Sequence, residues 1–264
     1  MQNRRITTLL FDLGGTLHTV KRTEASRYHF CEHLLSVLSA HGVSLDVTPE
    51  ALDAMLAVNG EEYKHFGEKN LIELPQSVIW SRYYLKEFHI PDERLAPFAE
   101  ELSFLYDHER VINSPRPYLK ETIMALHAQG IRLGIVSNII STTLVPFVLR
   151  QYGILEWMEC IVMSSSVGIR KPDPRIFEIA LKELDVTAAE TGYVGDTISR
   201  DVLGSRNAGL GLCVRIDNPA IAHRDAAFQG LDAPRADYVI RELNELVPLL
   251  SQINGQGPCT IQHS

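Results

Sequence analysis

Apolar and polar positions fall into two regimes along this chain. Residues 7–13 form an apolar run ending in an acid and then two glycines, the pattern of a buried strand opening into a tight turn. For roughly a hundred residues after it the spacing is helical. Between Glu24 and Ala40, the positions Tyr28, Cys31, Leu35 and Leu38 recur at three- and four-residue steps, which predicts an amphipathic helix stopped by His41-Gly42. Thr48-Pro49-Glu50 supplies a cap, a proline at the first helical position and a first-turn acid, so a second helix starts there. Pro75 opens a third helix through Trp80, Tyr84 and Phe88, and a fourth runs from Arg94 to Arg110. The helical block closes near Ser114-Pro115-Arg116-Pro117.

From there helices and strands alternate. Helices are predicted at 118–129, 141–151, 174–184 and 200–208, with strands at 131–137, 160–164, 192–195 and 210–216 and a weak one at 237–240. Such alternation predicts a parallel sheet covered on both faces. The expected fold class is α/β, a doubly wound parallel sheet with an inserted all-helical domain. The core is expected at 1–17 and 115–250, the helical insertion at 18–114, and a disordered polar tail at 251–264.

Composition narrows the function. The chain has 264 residues, 45% of them hydrophobic, enough for a sizeable core. A net charge of -8 argues against nucleic acid as partner, which asks for a basic face. No apolar run approaches the roughly 18 residues that span a bilayer, so no membrane partner is expected. The start, Met1-Gln2-Asn3-Arg4-Arg5, leads into a strand without a signal-peptide core. Cys31, Cys160, Cys213 and Cys259 lack paired spacing, which fits reduced thiols in a cytoplasm. The expectation is a soluble cytoplasmic monomer or homodimer.

Four short motifs fall on strand ends or just before a helix. They are Asp12-Leu13-Gly14-Gly15-Thr16, then Ser137 closing Ile135-Val136-Ser137-Asn138, then Lys171 in Gly168-Ile169-Arg170-Lys171-Pro172-Asp173-Pro174, and last Gly195-Asp196-Thr197-Ile198-Ser199-Arg200-Asp201. Two acids on two strand ends are placed to share one metal ion. In this order and on this scaffold the chain resembles the haloacid dehalogenase superfamily, mostly phosphatases that attack with an aspartate. The resemblance covers nearly the whole chain, and the helical insertion matches members that carry a cap just after the first motif.

The resemblance implies a Mg²⁺-dependent hydrolase with a Rossmann-like core, acting on a small phosphorylated metabolite. Phosphoryl transfer needs an in-line nucleophile, a cation at the phosphoryl oxygens and donors for developing charge. Asp12 is the implied nucleophile, and Ser137, Asn138 and Lys171 the implied phosphoryl contacts. Asn138 is either structural or ligand-facing. The implied metal ligands are Asp12, the main-chain carbonyl of Gly14 and Asp196, with Asp201 ligating or orienting the metal waters or Lys171.

Gly14 departs from the family pattern. In its phosphatases the residue two after the nucleophile is usually a second Asp, which protonates the leaving oxygen and then activates water. Losing such a group typically costs about 10² to 10⁴ in rate. The chain is then a slow phosphatase, or one in which another group stands in, with His18 the nearest titratable candidate. Alternatively it is a carbon–phosphorus hydrolase using a Schiff-base lysine of the cap, for which Lys64, Lys69 and Lys86 are available, or a catalytically impaired binding protein. The dehalogenase branch carries a bulky aromatic in this turn and phosphomutases keep the second Asp, so Gly14 disfavours both.

Other residues have plainer readings. His29 and His33 with Cys31 between them suggest zinc, but helical spacing puts Cys31 off their shared face. Lys21 and Arg22 read as a solvated linker, with contact to an anionic substrate as the alternative. The Tyr83, Tyr84 and Phe88 cluster reads as cap core.

Overall fold

The computed structural model describes residues 5–228 and 233–255. β1 (Thr8–Phe11) passes through a tight turn into β2 (His18–Lys21). The helical block follows as α1 (Glu24–Ala40), α2 (Pro49–Asn70), two short helices α3 (Gln76–Ile79) and α4 (Asp92–Leu95), and α5 (Ala99–His108). β3 (Ile112–Pro115) returns the chain to the core, which continues as α6 (Leu119–Ala128), β4 (Arg132–Ser137), α7 (Leu144–Gln151), β5 (Met158–Met163) and α8 (Ser164–Val167). Then come α9 (Pro174–Leu184), β6 (Thr191–Gly195), α10 (Leu203–Asn207), β7 (Leu212–Ile216), β8 (Tyr238–Ile240) and α11 (Leu246–Ile253).

The core is a six-stranded parallel sheet of order β5-β4-β1-β6-β7-β8, the doubly wound class expected. Every residue of β1 is buried, because alternate side chains feed both faces. Leu9 and Phe11 pack with Ile135 and Val194 on one face, while Leu10 packs with Val136 and Tyr193 on the other. The chain builds outward from β1 through β4 and β5, then returns to lay β6 on the opposite side. This reversal leaves a crevice at the carboxyl edge of β1.

The helical block has its own core, in which Phe30, Leu34, Leu52, Leu56, Trp80 and Leu102 meet. The Tyr84 and Phe88 cluster belongs to that core, as expected. α1 starts where Thr23 accepts from the Ser26 N–H at 3.0 Å, and α2 starts at the Thr48-Pro49 signal. The apolar stripe of α1 differs from expectation: Phe30, Cys31, Leu34, Val37 and Leu38 are buried, and Tyr28 is 39% exposed. The two sets share Cys31 and Leu38, so helical spacing alone leaves the phase open, and packing against α2 decides it. The expected fourth helix is divided, because Pro97 interrupts it in a 3₁₀ turn, Ala96–Phe98.

The block is also not bounded by helices alone. β2 and β3 form an antiparallel ribbon pairing His18 with Pro115 and Lys21 with Ile112, which sends the chain out of the core and back side by side. These four-residue strands are too short and too exposed for a strand pattern to show. α11 runs through Ile253, and Asn254 exchanges two 2.8 Å hydrogen bonds with Ile6, so order extends past the expected tail start at 251. Residues 256–264, with Cys259, lie outside the described set. No helix among the described residues is long and apolar enough to cross a membrane.

Candidate active site

Asp12 follows β1 directly, and its N–H donates to the Val194 carbonyl at 2.9 Å, which continues the sheet to the last residue before the turn. Its side chain faces two donors, one from the end of β4 and one from the loop between α8 and α9. Ser137 Oγ, at the end of β4, donates to Asp12 Oδ1 at 3.0 Å, and Lys171 Nζ stands 2.9 Å from the same oxygen. A hydroxyl and an ammonium on one oxygen fix the rotation of the carboxylate.

Lys171 is itself held at every point. Its Nζ donates to Asp201 Oδ1 and to Tyr193 Oη, both at 2.7 Å, and the side chain is 2% exposed. Its main chain is clamped by Asn138, whose Oδ1 accepts the Lys171 N–H at 2.8 Å while its Nδ2 donates to the Lys171 carbonyl at 3.0 Å. Both ends of the Asn138 carboxamide are thus engaged. Of its two expected readings the geometry favours the structural one, leaving its main chain for a ligand.

Asp201 is equally committed. Oδ2 accepts from the N–H groups of Asp196 and Thr197 at 3.2 and 2.9 Å and from Thr197 Oγ1 at 2.6 Å. Burial works against its charge, but Lys171, Arg200 and these hydrogen bonds hold the carboxyl down to about 2. Saturated on both oxygens, Asp201 orients Lys171 and the turn after β6; that is a positioning geometry more than an open ligand.

Asp196 differs. Its Oδ2 accepts from Asn218 Nδ2 at 2.8 Å, but its Oδ1 is buried and has no hydrogen-bond partner. Burial, then the charges of Asp201 and Asp12, push this carboxyl up to about 7. Oxygens of Asp12, Asp196 and Asp201 lie within 4.8 Å of one another. An orphaned buried acceptor is costly, and crowded carboxylates repel, so an all-oxygen group of this kind fits the Mg²⁺ that the resemblance implies.

The turn is shaped for this approach. Gly15 has φ +86°, and a Cβ there would collide with the Asp196 carboxylate and stand 2.9 Å from Asn218 Nδ2. Arg116 pins the Gly15 carbonyl, donating through Nε at 3.2 Å and Nη2 at 2.7 Å. Gly14 leaves space instead: a Cβ on it would sit 3.9 Å from His18 Nε2. His18 is buried, with Nδ1 3.1 Å from Tyr152 Oη. Burial and neighbouring His108 bring its pKa down to about 4, which keeps the imidazole neutral near pH 7.

Asp12, Gly14, His18, Ser137, Lys171 and Asp196 line one cavity of about 230 Å³, roofed by the helical block, while Asp201, Tyr193 and Arg116 support it from behind the lining. From the roof, Asp107 accepts the N–H groups of Ile140 and Ser141 at 3.1 and 2.9 Å, and Glu100 accepts from Ser141 Oγ, Thr142 N and Thr143 Oγ1 at 2.7, 2.9 and 2.6 Å. Burial pushes Asp107 up to about 7. Glu73, in the loop after α2, binds Ser164 and Arg170, beside Lys171.

The expected residues therefore converge, while others do not. Lys64 pairs with Glu61, Lys86 with Glu62, and Lys69 is exposed; none lines the cavity. His29 and His33 are exposed, and His33 bonds Glu109. Arg22 does line the cavity, and Lys21 does not. Tyr193, Asn218, Arg200 and Arg116 were not singled out in the sequence. Tyr193 reads as core and Asn218 as loop, but the Pro-Arg-Pro setting of Arg116 was a usable signal.

Comparison with known proteins agrees with this geometry. The model of haloacid dehalogenase-like hydrolases matches residues 6–209. A glyceraldehyde 3-phosphate phosphatase of Methanopyrus kandleri is 34% identical over 212 residues, covering 80% of this chain and 84% of that protein. The protein of the same name from Pyrococcus furiosus is 26% identical over 257 residues, 96% of each. A solved 2-haloacid dehalogenase from Pseudomonas syringae pv. Tomato superposes with a TM-score of 0.61 at 22% identity, covering 94% of this chain and 99% of that one, a likeness of fold alone. With its strand-end motifs in order and most of its length matched, the chain belongs to the haloacid dehalogenase-like hydrolase family.

Proposed function

We propose that the chain is a Mg²⁺-dependent phosphatase that passes the phosphoryl group of a small phosphorylated metabolite to Asp12 and then to water. The observation that carries this reading is the seating of Asp12, with one oxygen held by Ser137 and Lys171 and the orphaned oxygen of Asp196 close by, inside a metabolite-sized cavity. The phosphatases among its relatives support the same chemistry.

An Asp12 oxygen attacks phosphorus, and the bond to the ester oxygen breaks with its electron pair passing to the leaving group. The leaving oxygen takes up a proton, and water then attacks the aspartyl-phosphate, freeing Asp12 and inorganic phosphate. Ser137 and Lys171 bind the phosphoryl group and offset its charge. Asp201, Tyr193 and Asn138 keep Lys171 in place. Held by Asp12, Asp196 and the Gly14 carbonyl, Mg²⁺ would compensate the charge of a carboxylate approaching a phosphate dianion. Glu100 and Asp107 dock the cap and keep bulk water out.

Gly14 leaves the proton transfers without a carboxyl, so the reading is of a slow enzyme that favours esters with good leaving groups. A phosphonate hydrolase would need a cap lysine at the cavity, and none of the cap's three candidate lysines lines it. The test is phosphate release from a panel of phosphorylated metabolites with Mg²⁺, parent beside Asp12→Asn. Release lost in the variant supports the reading, and equal release by Asp12→Asn sinks it. Phosphate binding without release by the parent would instead favour a binding protein.

A further inference from the structure

We propose that the cap-side end of the cavity is a second anion site, which selects phosphate esters whose alcohol carries a carboxylate or a second phosphate. The identity of the ester rests on the phosphatase reading; the anion site rests on the cap. Side chains alternate along a strand, and His18, Val20 and then Arg22, just past β2, all line the cavity from the inner face of the hinge ribbon. The ribbon pairs Lys21 with Ile112, and continuing that register sets Arg22 opposite Val111, next to Arg110. Arg110 lines the same cavity, and its main chain is tied to the start of α1 by Ser26, whose Oγ donates to the Arg110 carbonyl at 3.3 Å.

Two features show these cations unspent. Arg110 is 8% exposed, yet its buried Nε has no hydrogen-bond acceptor. Its Nη1 donates to Tyr106 Oη at 2.7 Å, and its acid, Asp53, lies 3.9 Å from Nη2 and is shared with Arg27 at 3.4 Å. One carboxylate between two guanidiniums leaves positive charge over. Arg22 stands exposed at the cavity mouth and pairs with none of the described acids. The cap acid that lines the cavity, Asp107, is turned to the N–H groups of Ile140 and Ser141. The phosphoryl end has cations of its own, Lys171 and Arg200. A guanidinium fork matches a carboxylate or phosphate, and Arg22 and Arg110 bring two such forks to the cap-side lining of the cavity.

The test measures binding, so that it does not depend on turnover. On the Asp12→Asn background with Mg²⁺, calorimetry compares 3-phosphoglycerate with glycerol 3-phosphate, which lacks the carboxylate, and 1,3-propanediol bisphosphate with 3-hydroxypropyl phosphate. A charge-assisted hydrogen bond translates into a preference of about 10- to 100-fold for the member of each pair that carries the second anionic group. The carboxylate pair and the bisphosphate pair show which anion the site takes. Arg22→Gln and Arg110→Gln each collapse the preference, while Arg82→Gln, an exposed cap arginine off the cavity, leaves it. Arg22 is a surface position, so that arm reads out even where Arg110→Gln fails to fold. Equal affinity within both pairs, or a preference unmoved by Arg22→Gln, overturns the anion site. Turnover of glycerol 3-phosphate by the parent is scored separately and reports on the phosphatase reading alone.

Discussion

Placing a carboxyl at position 14 tests the expectation that Gly14 leaves the site without a group for proton transfer. A Cβ on Gly14 stands 3.9 Å from both His18 Nε2 and Val20 Cγ2, ordinary contact distances, and the residue is not among the positive-φ glycines. Gly14→Asp is therefore accommodated, whereas Gly15, at φ +86° and against Asp196, admits no side chain. A general acid–base group contributes about 10² to 10⁴ in rate, equivalent to roughly 3 to 5 kcal/mol of barrier. The new carboxyl adjoins Asp12 and Asp196, whose like charges raise its proton affinity and suit it to donate to a leaving oxygen. Turnover of an alkyl phosphate should rise at least about 10²-fold. p-Nitrophenyl phosphate, whose leaving group needs no proton, gains only through faster hydrolysis of the aspartyl-phosphate. Stopped-flow on that substrate should show a burst of nitrophenol with the parent that shrinks in Gly14→Asp. Gly14→Asn is the control of equal size that carries no titratable proton. A folded Gly14→Asp protein with no gain, or an equal gain in Gly14→Asn, refutes the reasoning and turns attention to His18.

Asp196→Asn should abolish both Mg²⁺-stimulated turnover and the stabilisation by Mg²⁺, which for the parent is about 2.7 kcal/mol of unfolding free energy at a hundredfold excess over Kd and is read as a rise in melting temperature; a retained Mg²⁺ shift would remove Asp196 from the metal site. The raised pKa of Asp107 has a definite sign. Its carboxyl binds a proton more tightly folded than unfolded, so it lowers stability as pH climbs from the usual carboxylate range to about 7, at about 1.4 kcal/mol per tenfold change in proton affinity. Urea unfolding at pH 5 and pH 8 should therefore show Asp107→Asn gaining on the parent at the higher pH, and a constant gap would count against the burial argument. Asn138→Ala releases the main chain of Lys171 and should lower kcat by about tenfold, on the scale of one or two hydrogen bonds, while Mg²⁺ binding stays; unchanged kcat would make the clamp dispensable.

Much of the architecture is local and so was legible in the chain. The apolar run at 7–13 is buried on both faces, which is the environment of a central parallel strand. Thr48-Pro49 caps α2 because the cap, the fixed proline φ and the first-turn acid act within four residues. Asp12, Ser137 and Asp196 were legible as a set because each ends a strand, and parallel strands present their ends on one edge.

Tertiary structure decided whatever depends on pairing of distant segments. Arg116 reaches the Gly15 carbonyl across 101 positions, and Asn138 clamps Lys171 across 33. No spacing rule spans such gaps, since sheet register and loop docking set them. The phase of α1 was likewise open until α2 packed on it, because two stripes one residue apart serve equally well in isolation. Gly14 marks the boundary most clearly. The sequence puts a residue without a side chain there, but only the fold shows that the space beside it is open and that His18 faces it. A single chain encodes which groups are available, and the geometry that sets a neutral imidazole, an orphaned carboxylate oxygen and an unpaired guanidinium around one cavity arises when the cap closes on the sheet.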